Sequence, residues 1–223
     1  MGEKQDSSRW RLGDGFTPGA WRYALLALAV AIPSALVARS EKWARRWGVA
    51  GPLLAVGALL FHRDPDRNPA PDVASSGVIA PADGRVSVVR EETGPDGDER
   101  VRVGVFMNVT DVHVNRAPLG GEIEAVEHEP GKHRPAFSKE SDNNEKLHIR
   151  FSDHVVTLIA GAFARRIHPY VEPGDELGRG ERLGHISFGS RADVLLPAEF
   201  DPDDVAVERG RKVRAGETVL ARR

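Results

Sequence analysis

Two uncharged, strongly apolar runs stand near the start of the chain, at residues 24–38 and 48–61, with a charged stretch between them. Each run is shorter than the ~20 residues that a helix needs to cross a membrane. Aromatic residues flank both runs, as rings that settle at a bilayer interface do: Trp21, Tyr23, Trp43 and Trp47.

This pattern predicts a hairpin of two apolar α-helices over residues 21–66 that enters or lines one leaflet of a membrane. Two buried helices of a soluble core and a signal peptide are the alternatives, although no Ala-x-Ala cleavage site follows the first run. Residues 1–20 are polar and are predicted to be a disordered lead-in.

The pattern changes after a Pro-rich linker at residues 67–71. Apolar and polar residues then alternate in short runs bounded by Gly, Pro and Asp, as strands do. Such runs include residues 101–107, 147–151, 155–160 and 205–207. No long amphipathic helical pattern follows residue 70, so residues 67–223 are predicted to form a β-rich body.

An internal repeat refines this fold class. Residues 171–183 and 207–219 share the frame V-E-x-G-x-x-[LV]-x-x-G-E-x-[LV], which predicts two hairpins with glycines at their turns. Paired hairpins of this kind are similar to barrel-sandwich hybrid domains of the biotinyl and lipoyl carrier type, and residues 80–86 look like a further element of the sandwich. A carrier needs an exposed Lys at the hairpin tip, and the nearest candidate, Lys212, lies inside the second repeat.

Composition excludes several kinds of chemistry. The net charge is −2, so no overall field points to nucleic acid, and the absence of cysteine excludes thiol catalysis and disulfides. The histidine pairs His128/His133 and His148/His154 lack the spacing of a zinc motif, and no metal site is predicted. No dinucleotide fingerprint or Gly-x-Ser-x-Gly elbow is present.

Three local features are candidates for chemistry. Gly189 and Ser190 lie between the strand-like runs 185–188 and 192–196, where a Gly kink in a strand is the simplest interpretation. Asp83 lies in an Ala-Asp-Gly turn, which Asp favours for structural reasons. His113 follows a strand, where most histidines serve packing or face solvent.

Six short motifs occur in a fixed order and together resemble one family, the short form of phosphatidylserine decarboxylase, a pyruvoyl-dependent membrane enzyme. The resemblance covers residues 55–223. Its motifs are Phe61-His62-Arg63-Asp64-Pro65, Pro81-Ala82-Asp83-Gly84, Val112-His113-Val114-Asn115-Arg116-Ala117-Pro118, Asn144-Glu145, Ala164-Arg165-Arg166-Ile167 and Phe188-Gly189-Ser190-Arg191.

The resemblance implies a proenzyme that cuts itself between Gly189 and Ser190 into a β chain (1–189) and an α chain (190–223). The Ser190 hydroxyl would attack the Gly189 carbonyl, and Ser190 would become a pyruvoyl group, the cofactor. The resemblance further implies that this group forms a Schiff base with the amine of a serine-headgroup phospholipid, which is decarboxylated to the ethanolamine lipid.

Site roles also follow from the resemblance. It implies that Asp83 supports self-cleavage and that His113 is a general acid/base. A second histidine of the long bacterial forms corresponds to Arg116, so either His113 serves both steps or Arg116 binds the substrate phosphate or carboxylate. The resemblance assigns substrate binding to Asn144 and Glu145 as well, and His168 and His185 are the other candidate bases.

The remaining expectations concern context. The protein is expected at the cell membrane, peripheral or monotopic, with a cytoplasmic catalytic domain, and a homodimer is a family-level expectation. The choice between diacyl phosphatidylserine and ether-linked archaetidylserine stays open. A non-catalytic, membrane-anchored sandwich adaptor or carrier module is the alternative function, but an adaptor would also require long coiled-coil helices, which the sequence lacks.

Overall fold

A computed structural model of the chain describes residues 15–38, 40–67, 77–132, 134, 136, 142–161, 167–186 and 189–223. The described residues divide into two compact units, residues 15–65 and residues 66–223. The predicted lead-in up to residue 14, most of the Pro-rich linker and the motif residues 164–166 and 188 lie outside the described residues.

The first unit is a pair of helices, α1 (Ala20–Val37) and α2 (Glu41–Phe61). Ser40 caps α2 by accepting the amide hydrogen of Trp43 at 3.4 Å. Of the two helices, α1 is long and apolar enough to cross a membrane. The two predicted apolar runs are therefore helical.

Small residues line the contact between these helices, and large apolar residues face outward. A Cβ atom added to Gly51 would overlap the side chain of Ala31, so the helices approach most closely there. Except for Phe61, the buried helix residues are small: Ala20, Ala24, Ala31, Gly51 and Ala55. The exposed ones include Leu25, Leu26, Leu36, Leu53 and Leu54. This inverted distribution is typical of helices packed in lipid.

The described residues of the second unit form thirteen strands. They are β1 (Val78–Ile79), β2 (Gly84–Thr93), β3 (Glu99–Phe106), β4 (Val114–Arg116), β5 (Gly121–Glu129), β6 (Lys146–Phe151), β7 (Val155–Ile159), β8 (Ile167–Pro169), β9 (Glu176–Leu177), β10 (Arg182–Ile186), β11 (Arg191–Leu195), β12 (Lys212–Val213) and β13 (Val219–Ala221). In the described part of this unit, helix is confined to short 3₁₀ turns such as Pro202–Asp204. The predicted mainly β fold is confirmed.

Three sheets share one apolar core. The largest has the order β12-β2-β3-β11-β7-β6-β5-β9, and the smaller ones pair β1 with β13 and place β10 between β4 and β8. Val105, Ile149, Leu158 and Val194 are fully buried examples of the core. At one end of the large sheet β2, β6 and β11 begin while β3 and β7 end. The residues just beyond that end form the candidate site.

The two sequence repeats adopt equivalent structures. Each contains a short strand, β9 or β12, at the same position of the frame. The amide of Gly174 donates to the Ile123 carbonyl at 2.7 Å, and that of Gly210 donates to Val86 at 2.7 Å. Gly180 and Gly216 likewise donate to Ala117 at 2.8 Å and Ala80 at 2.9 Å.

This internal symmetry extends to the segments that the repeats contact. The amide of Ile79 donates to the Pro118 carbonyl at 3.0 Å, and Arg116 donates to the Pro81 carbonyl at 2.9 Å, a reciprocal pairing. Val78 lies opposite Ala221 in one half, as Asn115 lies opposite Gly184 in the other. Position 78 is therefore equivalent to position 115, and position 83 to position 120.

Candidate active site

Gly189 and Ser190 lie immediately before β11, in the middle of the large sheet. Gly189 has a φ angle of 68°, and apart from its chain neighbours no atom of the described residues lies within 4 Å of the place that a Cβ would occupy. Conformation, not space, therefore requires glycine here. Ser190 is completely buried, and its carbonyl accepts the Met107 amide at 2.9 Å.

A sulfur atom is the partner of the Ser190 hydroxyl. Ser190 Oγ lies 4.0 Å from Met107 Sδ, and Asn115 Nδ2 lies 3.6 Å from the same sulfur. We call Ser190, Met107 and Asn115 the serine cluster, and all three are fully buried. Within the described residues, the hydroxyl of Ser190 makes no other side-chain hydrogen bond.

Asn115 is poorly satisfied for a buried amide. Its Oδ1 atom has no hydrogen-bond partner among the described residues, and its Nδ2 donates only to a thioether, a weak acceptor. Buried polar atoms of this kind are rare in folded proteins and call for an explanation.

His113 precedes β4 and is almost completely buried, with 2% of its surface exposed. Its Nδ1 atom lies 2.9 Å from the Asp111 carbonyl oxygen, which can only accept, so Nδ1 carries the hydrogen. In the neutral ring Nε2 is then the basic nitrogen. The His113 carbonyl accepts the Ile186 amide at 3.2 Å, which joins His113 to the strand that leads toward Ser190.

Asp83 belongs to a second group, on the other side of the segment Phe106–Met107. Its Oδ2 atom lies 3.0 Å from Arg67 Nη2, and its Oδ1 atom accepts the Ala215 amide at 2.8 Å. Arg67 also pairs with Glu217 at 3.1 Å. We call Asp83, Arg67 and Glu217 the aspartate cluster. His113 is not among the partners of Asp83.

Internal symmetry shows that the turn at Asp83 does not require an aspartate. The equivalent turn in the other half carries Gly120, and a glycine with a positive φ follows in both halves, Gly84 at 148° and Gly121 at 155°. The structural interpretation of Asp83 as a turn residue is therefore insufficient.

Arg116 points away from the serine cluster, because it follows Asn115 on strand β4 and successive side chains face opposite sides. Its Nη1 atom donates to the Gly180 carbonyl at 2.9 Å. A Cβ atom on Gly216 would lie 3.0 Å from Arg116 Cδ and 3.3 Å from Arg67 Cβ. Arg116 thus lies beside the aspartate cluster.

Asn144 and Glu145 precede β6 at the same end of the large sheet. The Asn144 amide accepts the Arg134 backbone amide at 2.8 Å and donates to the carbonyls of Arg134, at 2.7 Å, and Ala160, at 2.8 Å. Glu145 Oε1 lies 3.0 Å from His128 Nε2. These bonds hold backbone segments beside the site, and substrate binding by either residue stays a prediction.

Arg191, directly after Ser190, is buried in a charged network. Its guanidinium lies 2.8 Å from Asp193 and 2.8 Å from Asp142. Burial lowers the pKa of Arg191, but the charges and hydrogen bonds of the two carboxylates outweigh burial and raise it above its usual value. Burial likewise raises the pKa of Asp142, but Arg191 and Arg90 outweigh that effect and lower it.

His168 and His185, the other candidate bases, are stacked with ring centres 4.5 Å apart on β8 and β10. The Tyr170 hydroxyl lies 2.8 Å from His185 Nδ1. Neither histidine bonds to Ser190. No group of three or more acidic or histidine side chains within the described ranges is placed to hold a metal.

Sequence reasoning assigned no role to Met107, Asn115, Arg67 or Arg191, although Asn115 and Arg191 stand inside motifs. The signal for Asn115 becomes visible only when the two halves of the fold are compared. A polar residue occupies a position of a short strand where the other half of the molecule has Val78.

Comparison with known proteins gives consistent matches. The sequence model described as "Phosphatidylserine decarboxylase" matches residues 57–221. A Halobacterium salinarum protein named "Putative archaetidylserine decarboxylase proenzyme" is 60% identical over 92% of this chain and 97% of its own length. A Streptomyces griseus "Phosphatidylserine decarboxylase proenzyme" is 44% identical over 97% of each chain. A Methanosarcina mazei protein with the archaetidylserine name is 38% identical over 77% of each.

Proposed function

The chain belongs to the phosphatidylserine decarboxylase family and is a carboxy-lyase, and we propose that it decarboxylates a serine-headgroup phospholipid after cutting itself between Gly189 and Ser190. The observation that carries this proposal is the left-handed Gly189 directly before a fully buried serine. Family membership also argues against the carrier and adaptor alternatives.

Self-cleavage begins as an attack by Ser190 Oγ on the Gly189 carbonyl carbon. The peptide C–N bond breaks, the nitrogen of residue 190 takes up a proton, and an ester joins Gly189 to Ser190. Loss of the Cα proton then expels the Gly189 carboxylate from the Cβ carbon. Addition of water releases ammonia and leaves a pyruvoyl group on the α chain.

Two features of the serine cluster support this course. The Met107 amide fixes the Ser190 carbonyl, and the sulfur that faces Ser190 Oγ is too weak an acceptor to hold the hydroxyl back. The aspartate cluster keeps a charged carboxylate one strand away, with Arg67 as its counter-charge. We assign the proton transfers to His113, whose basic nitrogen is Nε2.

The residues around Ser190 fit a pyruvoyl group. The group is small, uncharged and polar at its two carbonyls. The serine cluster around it is fully buried, and the Asn115 amide still has an oxygen without a hydrogen-bond partner among the described residues. When formed, it supplies a ketone that condenses with the headgroup amine and takes up the electrons of the departing carboxylate. His113 would hold and return the proton that replaces the carboxylate.

The helical hairpin supports the proposal that the enzyme works on a membrane surface. The further proposal that the β body lies in the cytoplasm follows from the family resemblance alone. Leu25 and Leu53 on its outer face are 62% and 66% exposed. Exchange of both for Ser is expected to weaken partition into phospholipid vesicles at least about tenfold, because each loses apolar contact with lipid. Val89→Ser, on the β body, is the control, and unchanged flotation of the double variant would contradict membrane insertion.

Mass spectrometry tests the cleavage. The 24.3 kDa chain is expected to separate into residues 1–189 and 190–223, with the smaller chain blocked at its first residue. Ser190→Ala is expected to stay whole and inactive. An intact parent chain with full activity would overturn the proposal. Assays on diacyl phosphatidylserine and on its ether-linked archaeal counterpart then identify the lipid class.

A further inference from the structure

We infer that Asn115 is a substrate-binding residue whose Oδ1 atom accepts an N–H group of the substrate's amine, next to residue 190. The inference deepens the proposed function and rests on it. It assigns a role to a residue of the serine cluster that self-cleavage does not use.

The first ground is the state of the Asn115 amide. It is fully buried, its Oδ1 atom has no partner in the described part of the chain, and its Nδ2 donates only to the Met107 sulfur at 3.6 Å. A buried carbonyl oxygen without a hydrogen bond lowers the stability of the fold, and a ligand that supplies a donor removes this penalty.

The second ground is the internal symmetry. Val78, the equivalent residue in the other half, is also fully buried and lies opposite Ala221 as Asn115 lies opposite Gly184. The same strand position is therefore filled by an aliphatic side chain where no chemistry is expected. The fold itself does not demand an amide at position 115.

The third ground is the choice of partner. A serine headgroup carries a carboxylate and a phosphodiester, which only accept hydrogen bonds once ionised, and an amine, which is its donor. An unpaired acceptor therefore selects the amine. Asn115 lies near Ser190, because both side chains contact the Met107 sulfur. The proposed reaction brings the substrate amine to residue 190, and therefore close to Asn115.

Two variants that are isosteric with each other test the inference on the matured protein. Asn115→Val removes the acceptor and installs the residue found at the symmetric position, and Asn115→Thr has the same shape but keeps an oxygen that accepts. The probes are glycerophosphoethanolamine and the ethyl ester of glycerophosphate, which lacks the amine. Calorimetric titration measures the binding of each.

Asn115→Val is expected to bind the amine probe about 10- to 100-fold more weakly and the ester unchanged, since one buried hydrogen bond to a charged group is lost. Asn115→Thr is expected to bind the amine probe more tightly than Asn115→Val. The thermal unfolding temperature of Asn115→Val should equal or exceed that of the parent, because an unpaired polar atom is removed.

Equal weakening of both probes, or no weakening, would overturn the assignment. Loss of self-cleavage in a folded Asn115→Val or Asn115→Thr chain would also contradict the assignment, because Asn115 would then be needed for maturation and not only for substrate binding. The mass of the parent separates this failure from failure of the proposed function. A parent chain that stays whole would contradict the proposed self-cleavage. If the parent is cleaved but Asn115→Val binds the two probes with equally changed or unchanged affinity, only the role of Asn115 is contradicted.

Discussion

Arg67 Nη2 lies 3.0 Å from Asp83 Oδ2, and only 10% and 12% of the two side chains is exposed. The ion pair connects the residue before the 68–76 segment to the turn that opens β2. The ion pair thereby fixes the Asp83 side chain in a largely buried position.

Loss of Arg67 should cost more than loss of Asp83. Arg67→Gln leaves a buried carboxylate without its counter-charge and is expected to lower the free energy of unfolding by about 3 kcal/mol. In Asp83→Asn the amide oxygen still accepts from Ala215, and Arg67 keeps Glu217, so a smaller loss is expected. Urea denaturation in a Ser190→Ala background measures both. The double variant should lose less than the sum, and full additivity would show that the pair is not coupled.

Gly189→Ala should slow self-cleavage. A Cβ in the left-handed region costs about 1–2 kcal/mol, so the cleavage-ready conformation becomes about 5- to 30-fold rarer. Time courses of chain cleavage on denaturing gels provide the measurement. Gly97→Ala is the matched control, because Gly97 has a φ of 86° and equally open surroundings but lies in the β2–β3 turn. A normal rate in Gly189→Ala would remove the argument from backbone conformation.

The Asp142–Arg191 pair predicts acid sensitivity. The pKa of Asp142 in the fold lies below its ordinary value of 3.8, so its contribution to stability is present above that pH and is lost as the pH falls through the lower folded pKa. Asp142→Asn should therefore flatten the fall of the urea midpoint below about pH 4.

Glu129 provides a comparison outside the site. Its pKa is lowered mainly by a hydrogen bond from His148, so Glu129→Gln should also flatten the acid limb. Only Asp142→Asn is expected to slow cleavage as well, because Arg191 follows the scissile bond. Equal cleavage rates in the two variants would show that Arg191 is held well enough by Asp193 alone.

Gly51→Leu should loosen the hairpin. Any side chain at position 51 overlaps Ala31, and helices in lipid depend on such close contact. Circular dichroism in detergent is expected to show helix loss at a lower temperature. At Gly57 no atom lies within 4 Å of an added Cβ, so Gly57→Leu should melt like the parent. The same melting curve for both variants would contradict close packing at Gly51.

Local signals in the chain were sufficient for much of the fold. The alternation after residue 70 indicates strands, and the repeat at 171–183 and 207–219 corresponds to two equivalent hairpins. Gly189 was identified from its neighbour and its motif, and its positive φ agrees with the choice of glycine. These features depend on residues close together in sequence.

Contacts between distant segments were beyond sequence reasoning. The Ala215 amide reaches Asp83 across 132 positions, and Ser190 and Met107 meet across 83. Strand β4 has three residues, too few to show which side of Asn115 and Arg116 faces the core. The Arg67–Asp83 ion pair could therefore not be predicted before the sheets were assembled.

Strand β11 has neighbours on both sides, β3 and β7, and five of its residues are in register with each. Under the proposed cleavage this strand becomes the start of a separate polypeptide whose first residue is formed in the middle of the large sheet. Neither product can diffuse away without unzipping ten cross-strand positions at once. Maturation would thus be a covalent cut without dissociation, and the shortened chain would be a permanent subunit that was never synthesised alone.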